Sequence, residues 1–338
     1  MIETPRSLDF SLILRGFFAT AVVWWHTDGY RLDATGLDAF NTSGRLAVWM
    51  FFGLSGYVIG YGFFKPRYEL STQGVACYLL RRALRILPLF WLATAITISI
   101  LYMQGRSFDV GLSQLLAFQW QHLDYPVGVF WTLGVELQFY LSVPLLAWAM
   151  IATGRWSIAV GVGLWLALWL SFGDSPDDRS MIGNLQHFIA GMLIAKAYLS
   201  GSLDRFQRPW WMVLFACLGM AAICTANLLY HAGQFWTLRA SLASDVAIIA
   251  LLVVNCALAE RALAPRLAGR LLMGLGVVAY GLYAWHGVLL TLWPGMGDSF
   301  LILFVSSLAV AIVSFVFFER PAMDVGRTAA HHGLTTKL

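Results

Sequence analysis

Ionisable side chains inside long apolar segments are the residues of this sequence best suited to chemistry. Such a group is costly at membrane depth unless it faces a cavity or a partner. Arg15 and His26 both lie in the first apolar segment. Their separation of eleven helical steps of about 100° brings them to within about 20° of one line. The pair predicts a polar helix face, about 16 Å long, that lines a passage. Taken singly, Arg15 could reach the inner interface and His26 could make an interfacial hydrogen bond.

More polar side chains fall at one depth on other predicted helices. Glu136, His187 and His286 are placed, like His26, toward the outer ends of their segments. A carboxylate such as Glu136 can hold an imidazole in one tautomer and stabilise its protonated form. The alternative is that Glu136 complements a helix N-terminal dipole. We predict a site at the outer end with Glu136 near His26, although equal depth alone does not show that the groups meet.

Cationic side chains cluster at the opposite end. Arg82 and Arg85 are three residues apart and therefore share a helix face. Guanidinium forks suit phosphate or pyrophosphate, whereas Arg81 is better explained as a charge kept on the cytoplasmic side. Glu319, which closes the last apolar segment, is a further candidate to line the site.

Small residues interrupt the second apolar segment. Gly56 and Gly60 have the spacing of a helix-packing face, and we assign them that role. Ser55 precedes them and could line the site. A nucleophilic role for Ser55 is disfavoured because the sequence identifies no base beside it.

The composition requires a membrane setting for these residues. Of 338 residues, 59% are hydrophobic and 12% charged, whereas soluble domains carry about 25% charged residues. Because a span needs roughly 20 apolar residues, we predict an all-α polytopic membrane helical bundle of about ten transmembrane helices, with one domain over 1–325 and a short cytoplasmic tail over 326–338. The predicted spans are 10–28, 45–64, 86–104, 132–152, 156–172, 182–200, 210–230, 240–260, 272–293 and 298–319.

Charge placement orients this bundle. Most of the 22 Lys and Arg residues fall in the even-numbered loops and the tails, which predicts that both termini are cytoplasmic. The net charge of +4 is dispersed between apolar spans, so no basic face exists for nucleic acid. The four Cys show no metal-site spacing, and we predict no metal.

Six motifs, in order along nearly the whole chain, resemble the acyltransferase-3 family of membrane O-acyltransferases. They are Arg-x10-His at 15–26, Phe-Phe-Gly-Leu-Ser-Gly-Tyr at 51–57, Arg-Arg-x-x-Arg-Ile-Leu-Pro at 81–88, Trp-Thr-Leu-Gly-Val-Glu-Leu-Gln-Phe-Tyr at 131–140, Tyr-Gly-Leu-Tyr-Ala-Trp-His at 280–286 and Phe-Glu-Arg-Pro at 318–321. The chain departs from the family at Leu137, where many members have a second Glu, and His187 lies in no family motif.

The resemblance implies transfer of an acyl group, most often acetyl, from cytoplasmic acyl-CoA to a carbohydrate or glycolipid hydroxyl at the inner (plasma) membrane. Acyl-CoA would be a co-substrate, with no permanently bound cofactor. Its pyrophosphate would dock on Arg82 and Arg85, and Arg15 would line the path of its pantetheine arm. His26 would act as general base, with Glu136 stabilising the imidazolium, or as a transient acyl carrier.

The motifs say less about which acceptor is recognised than about donor binding and catalysis. Trp131 and its neighbouring tryptophans could stack on sugar faces, although interfacial aromatic belts explain such residues equally well. Loops 28–44 and 105–131 are predicted to choose the acceptor.

A proton-coupled transporter of a sugar or lipid is the main alternative, since buried His, Glu and Arg would serve it too. Such a transporter is expected to show an inverted repeat, and the two halves of this sequence show none.

Overall fold

The structure is a computed structural model that describes residues 8–27, 43–106, 108, 111–117, 125–173, 179–234, 237–261, 263–264 and 266–335. The described residues form helices and contain no strand. The α-helices are α1 Phe10–Trp25, α2 Gly44–Phe64, α3 Thr72–Met103, α4 Leu112–Leu115, α5 Trp131–Ala152, α6 Ser157–Phe172, α7 Met181–Leu199, α8 Pro209–His231, α9 Leu238–Ala259, α10 Leu267–Val277, α11 Ala279–Leu292, α12 Phe300–Ser314 and α13 Arg320–Thr335. The all-helical prediction is confirmed.

Each predicted span overlaps a helix, and the ninth overlaps two, but the count of ten stays a prediction. Seven helical segments are long and apolar enough to cross a membrane, and α10 with α11 would make an eighth. The helix α1 is apolar but only 16 residues long. The helix α7 falls outside the set of seven, and it carries Asn184, Gln186, His187 and Lys196. The cytoplasmic placement of the termini also stays a prediction.

Polar caps begin several of these helices. Side-chain oxygens of Asp9, Ser43, Ser71 and Ser180 accept hydrogen bonds from backbone N–H groups of α1, α2, α3 and α7. Such caps satisfy donors that a helix leaves unpaired at its first turn. They help to set where the site-bearing helices start.

Glycines bring α2 and α7 into backbone contact. A Cβ added at Gly56 would lie 2.0 Å from the carbonyl oxygen of Phe188, and one added at Gly60 would lie 3.1 Å from Met192 Cγ. The predicted packing role of these two glycines is confirmed. A Cβ at Gly191 would in turn lie 1.9 Å from the carbonyl oxygen of Gly53. The contact fixes Ser55, which lies between Gly53 and Gly56, relative to α7.

Two helices at the arginine-rich end extend beyond the spans predicted there. The helix α3 begins at Thr72, not near 86, so Arg82 and Arg85 lie within a continuous 32-residue helix. The last predicted span ends in a π-helical turn at Phe315–Glu319, after which α13 runs on to Thr335. The predicted domain boundary at 325 therefore falls inside a helix. A helix outside lipid does not need apolar side chains all round, so hydropathy does not reveal these extensions.

The ninth predicted span is broken. The helices α10 and α11 meet at Val278 with a bend of 59°. Gly274 and Gly276 lie just before the bend, where their low helix propensity favours a break. A Cβ at Gly276 would lie only 1.9 Å from the carbonyl oxygen of Leu12, so α10 packs directly on the backbone of α1.

Candidate active site

Three adjoining cavities follow α1 from one end to the other. The arginine cavity, of about 230 Å³, is lined by Arg15, Arg85, Glu319, Arg320 and Arg327 among others. The central cavity, of about 80 Å³, is lined by Arg15, Ser55, Arg82, Arg85, Glu136 and Tyr140 among others. The histidine cavity, of about 510 Å³, is lined by His26, Arg45, Trp131, Arg179, Tyr230 and Thr291 among others.

Shared lining residues show the order of the cavities. Arg15 and Arg85 line both the arginine and the central cavity, together with Gly276 and Tyr280. Tyr283 lines both the central and the histidine cavity, together with Val48. Its hydroxyl donates to the carbonyl of Val129 at 3.0 Å and accepts from Thr132 at 2.9 Å, which holds the ring in place. The series therefore runs from the arginines to His26, through the middle of the bundle.

His26 ends α1, and its side chain is held in one tautomer. Its Nδ1 lies 2.8 Å from the carbonyl oxygen of Val22, in the last turn of the helix. A carbonyl oxygen can only accept, so Nδ1 carries the proton. In the neutral ring Nε2 is then the basic nitrogen. The orientation expected from Glu136 is thus supplied by the backbone of α1 itself.

His286 is the imidazole beside His26. The two ring centroids are 5.1 Å apart, and Tyr283 packs edge-on against His286 at 5.4 Å. His286 is fully buried, and neither ring nitrogen has a partner within hydrogen-bonding geometry. Of the four groups predicted at one depth, these two histidines are brought together.

Glu136 and His26 line different cavities among the described residues, and the catalytic role predicted for Glu136 stays a prediction. Glu136 lines the central cavity, where its Oε1 accepts hydrogen bonds from Ser55 Oγ at 2.8 Å and from the Tyr140 hydroxyl. Depth along a helix does not determine which way a side chain points, and Glu136 points to α2 rather than to the end of α1. Ser55 consequently has a carboxylate beside it, which the sequence did not identify.

Tyrosines surround Arg82 at the central cavity. The Arg82 Nη2 donates to the Tyr68 hydroxyl at 3.1 Å, and its guanidinium lies 5.6 Å and 5.3 Å from the rings of Tyr78 and Tyr140. This arrangement holds Arg82 on the wall of the central cavity near Glu136. Arg85 lines the arginine cavity as well, so of the two predicted donor-binding arginines it is the one that reaches both compartments.

Two arginines that the sequence interpretation did not use lie at the histidine cavity. The guanidinium of Arg45 is 4.3 Å from the centroid of the Trp131 ring, and that of Arg179 is 5.8 Å from it. Trp131 is nearly buried, and its ring is already engaged by these cations. Trp131 is therefore poorly placed to stack on a sugar, whereas Trp25 and Tyr230, 5.0 Å apart, line the same cavity.

His187 belongs to a separate buried cluster. Its Nδ1 donates to Asp245 Oδ1 at 2.6 Å, and the Trp165 indole donates to the other Asp245 oxygen at 2.8 Å. The ring of Trp49 packs on His187 at 4.6 Å. None of these residues lines the three cavities. The structure places His187 away from these cavities, so its predicted role at the site stays a prediction. Its partner Asp245 was overlooked, although an acid inside 240–260 is a clear signal.

Glu319 lies at the π-helical turn and is nearly buried. Ser314 Oγ donates to its Oε1 at 3.2 Å, and the Trp285 indole donates to Ser314 at 2.9 Å. The carboxylate is thereby held in the wall of the arginine cavity. Trp285 is committed to this bond, so it does not contribute to acceptor stacking.

A helical bundle with His26 at one end of a series of adjoining cavities and arginines at the other is the arrangement against which the comparisons with known proteins are set. The family model described as an acyltransferase domain matches residues 8–319, and the chain belongs to this acyltransferase-3 family. It is therefore a membrane acyltransferase of the kind that transfers groups other than aminoacyl groups. Family membership sets the transporter alternative aside.

Three curated relatives are similar over most of their lengths. "Exopolysaccharide production protein ExoZ" of Rhizobium meliloti (strain 1021) is 25% identical over 85% of this chain and 92% of its own. "Nodulation protein 10" of Rhizobium leguminosarum bv. viciae is 23% identical over 91% and 89%. "Putative membrane-bound transacylase BcsY" of Komagataeibacter xylinus is 22% identical over 92% and 82%. No solved structure matches the chain.

Proposed function

We propose that this acyltransferase transfers an acyl group, most simply acetyl, from acyl-CoA to a hydroxyl of a carbohydrate or glycolipid at the inner membrane. The observation that carries the proposal is the series of cavities that joins the arginines to His26 through the bundle. Anionic groups of the donor would remain among the arginines while a narrow arm passes Arg15. The name of the ExoZ relative, which refers to exopolysaccharide production, supports a carbohydrate acceptor.

In the proposed reaction His26 Nε2 takes the proton of the acceptor hydroxyl as its oxygen attacks the thioester carbonyl carbon. A C–O bond forms, the C–S bond breaks, and the CoA thiolate leaves with the proton held by His26. The hydrogen bond from Nδ1 to Val22 keeps Nε2 available for this step. An acyl group carried transiently on Nε2 would use the same nitrogen.

His286 replaces Glu136 as the group beside the base. Its ring, packed at 5.1 Å, would shield one side of the His26 ring from water. Glu136 would act in the central cavity, where its charge opposes Arg82 and Arg85 along the path of the arm.

The test uses the full chain in lipid nanodiscs with radiolabelled acetyl-CoA and a panel of glycan acceptors. We expect transfer by the wild type and a loss of roughly 100-fold or more in His26→Ala, since general-base catalysis contributes about 10²–10⁴-fold. His231→Ala is the matched control, because His231 is exposed on α8 outside the cavities. Undiminished transfer by His26→Ala would remove His26 from the mechanism.

A second measurement separates direct transfer from an acyl carrier. Acid quenching of the wild type after a single turnover without acceptor should leave no label on the protein if transfer is direct. Label that is trapped on the wild type but absent from His26→Ala would establish the acyl carrier instead.

A further inference from the structure

The arginine cavity has two cationic side chains that the donor-binding motifs do not include. Both come from α13: Arg320 and Arg327 line the cavity together with Arg85 and Arg15. Glu319 is the acidic residue among the described lining residues of this cavity. The excess of positive charge favours a ligand that carries several negative charges.

The geometry of α13 places these arginines on one face. They are seven residues apart, which is two helical turns, or about 10 Å along the axis. Asp324 lies between them on the same face, with its Oδ1 2.9 Å from Arg327 Nη1 and its Oδ2 4.0 Å from Arg320 Nε. The carboxylate keeps the two guanidinium groups on the same side of the helix.

Close packing on α3 turns this face toward Arg85. A Cβ added at Gly326 would lie 3.2 Å from Leu84 Cδ1 and 3.6 Å from the Cα of Arg81. Arg327 of α13 and Arg85 of α3 line the same cavity, so this packing brings the cations of the two helices together. The α13 arginines remain accessible there, with 42% and 68% of their side chains exposed.

The order of the cavities determines which part of a bound donor would lie next to each arginine. The arm must point past Arg15 toward the central cavity, so the nucleotide end stays at the far side of the arginine cavity. Coenzyme A has a pyrophosphate next to its arm and a separate phosphate monoester on the 3′ position of its ribose. Arg85 and Arg15 lie on the arm side, which leaves the α13 pair for the more distant phosphate.

We propose that Arg320 and Arg327 bind the 3′-phosphate of the CoA donor and thereby select it over donors that lack this group. The inference rests on the proposed function, because it requires an acyl-CoA donor. Arginine suits a phosphate monoester because its planar fork donates two parallel hydrogen bonds. The pair makes α13 a specificity element for the donor, separate from the arginines that meet the pyrophosphate.

The experiment compares acetyl-CoA with acetyl-3′-dephospho-CoA, using the full chain in phosphatidylcholine nanodiscs. For the wild type we expect a KM for the dephospho donor roughly tenfold higher, since one charge-assisted hydrogen-bond pair contributes about that much affinity. In Arg320→Gln/Arg327→Gln the KM for acetyl-CoA should rise to the value of the dephospho donor, whose own KM should stay unchanged. Arg205→Gln is the matched control, because Arg205 is exposed and lies outside the cavity.

The outcomes separate this inference from the proposed function. Equal KM values for the two donors in the wild type would overturn the inference while leaving acetyl-CoA as donor, and this comparison needs no variant to fold. A preference that persists in the double variant would also overturn it. Failure of the wild type to use either donor would overturn both proposals.

Anionic lipid headgroups offer the same chemistry as the 3′-phosphate, so the measurements are repeated with phosphatidylglycerol. We expect the double variant to lose donor discrimination in both lipids. An effect of the substitutions that appears only with phosphatidylglycerol would assign the arginines to the membrane surface and overturn the inference.

Discussion

Gly276→Ala is expected to push α1 away from α10 and so displace Arg15, which lines both the arginine and the central cavity. Gly276 lines both cavities, and its α-carbon packs on the backbone of Leu12 in the first turn of α1. The added Cβ would lie 1.9 Å from the carbonyl oxygen of Leu12 and 2.9 Å from its Cα. Backbone atoms cannot rotate away as a flexible side chain can, so the two helices must separate.

The size of the effect follows from this contact. Ordinary carbon contacts begin near 3.5 Å, so α1 and α10 must move apart by roughly 1 to 1.5 Å. Overpacking of this kind costs about 1–3 kcal/mol in the free energy of unfolding. Arg15 moves with α1, and displacement of a binding group by about 1 Å can lower the rate about 100-fold.

Gly274→Ala is the matched control on the same helix. A Cβ at Gly274 has no neighbour within 4 Å, so this variant should gain up to about 1 kcal/mol of stability from its better helix propensity. The assay is acetyl transfer with the KM for acetyl-CoA, together with thermal unfolding in nanodiscs. The reasoning is refuted if Gly276→Ala matches Gly274→Ala in both stability and donor KM.

Three further substitutions test the described contacts. Glu136→Gln keeps an acceptor for Ser55 and Tyr140 but removes the charge in the central cavity, so kcat/KM should fall roughly tenfold; an unchanged value in the transfer assay would show that the charge is dispensable. His286→Phe removes two buried nitrogens that have no hydrogen-bond partner but keeps a ring beside His26, so thermal unfolding should show up to about 1–3 kcal/mol of added stability with transfer retained; a loss of transfer would show that the imidazole itself takes part. Asp245→Ala leaves His187 without its buried partner and should cost about 3 kcal/mol of stability, with kcat/KM per folded molecule unchanged; a selective loss of activity would place this cluster in the site.

The helices could be predicted because a chain in lipid must satisfy its backbone hydrogen bonds within each segment. Apolar runs therefore locate helices, as at Gly44–Phe64, which matches the predicted 45–64 closely. Hydropathy does not predict the parts of a helix that extend beyond the apolar run. Examples are the start of α3 at Thr72 and the whole of α13 after Arg320. Hydropathy also cannot reveal the bend at Val278, which depends on how α10 packs against α1.

The relative positions of site residues on one helix could be predicted from the sequence. Contacts between residues on different helices could not. Arg15 and His26 share a helix, so their common face follows from helical geometry alone. The neighbours of Glu136 depend on the rotation of α5 against α2, which a single sequence does not encode in its spacing. The same limitation hid the contact between His26 and His286 and the approach of Arg327 to Arg85. His187 and Asp245 form a buried pair. An ionisable residue inside one apolar segment should therefore prompt a search for its partner in the other segments.

The wide turn at Phe315–Glu319 lets the chain absorb a change in its own length. A π-helical turn accommodates one residue more than the surrounding α-helix would. Deleting a single residue there would close the turn into a regular α-helix and leave the residues after it on the faces they now occupy. Deleting a residue between Arg320 and Arg327 would instead rotate Arg327 by about 100° away from the face that it shares with Arg320. The charge of the arginine cavity is thus determined by the spacing within α13, whereas the turn before it tolerates the loss of one residue.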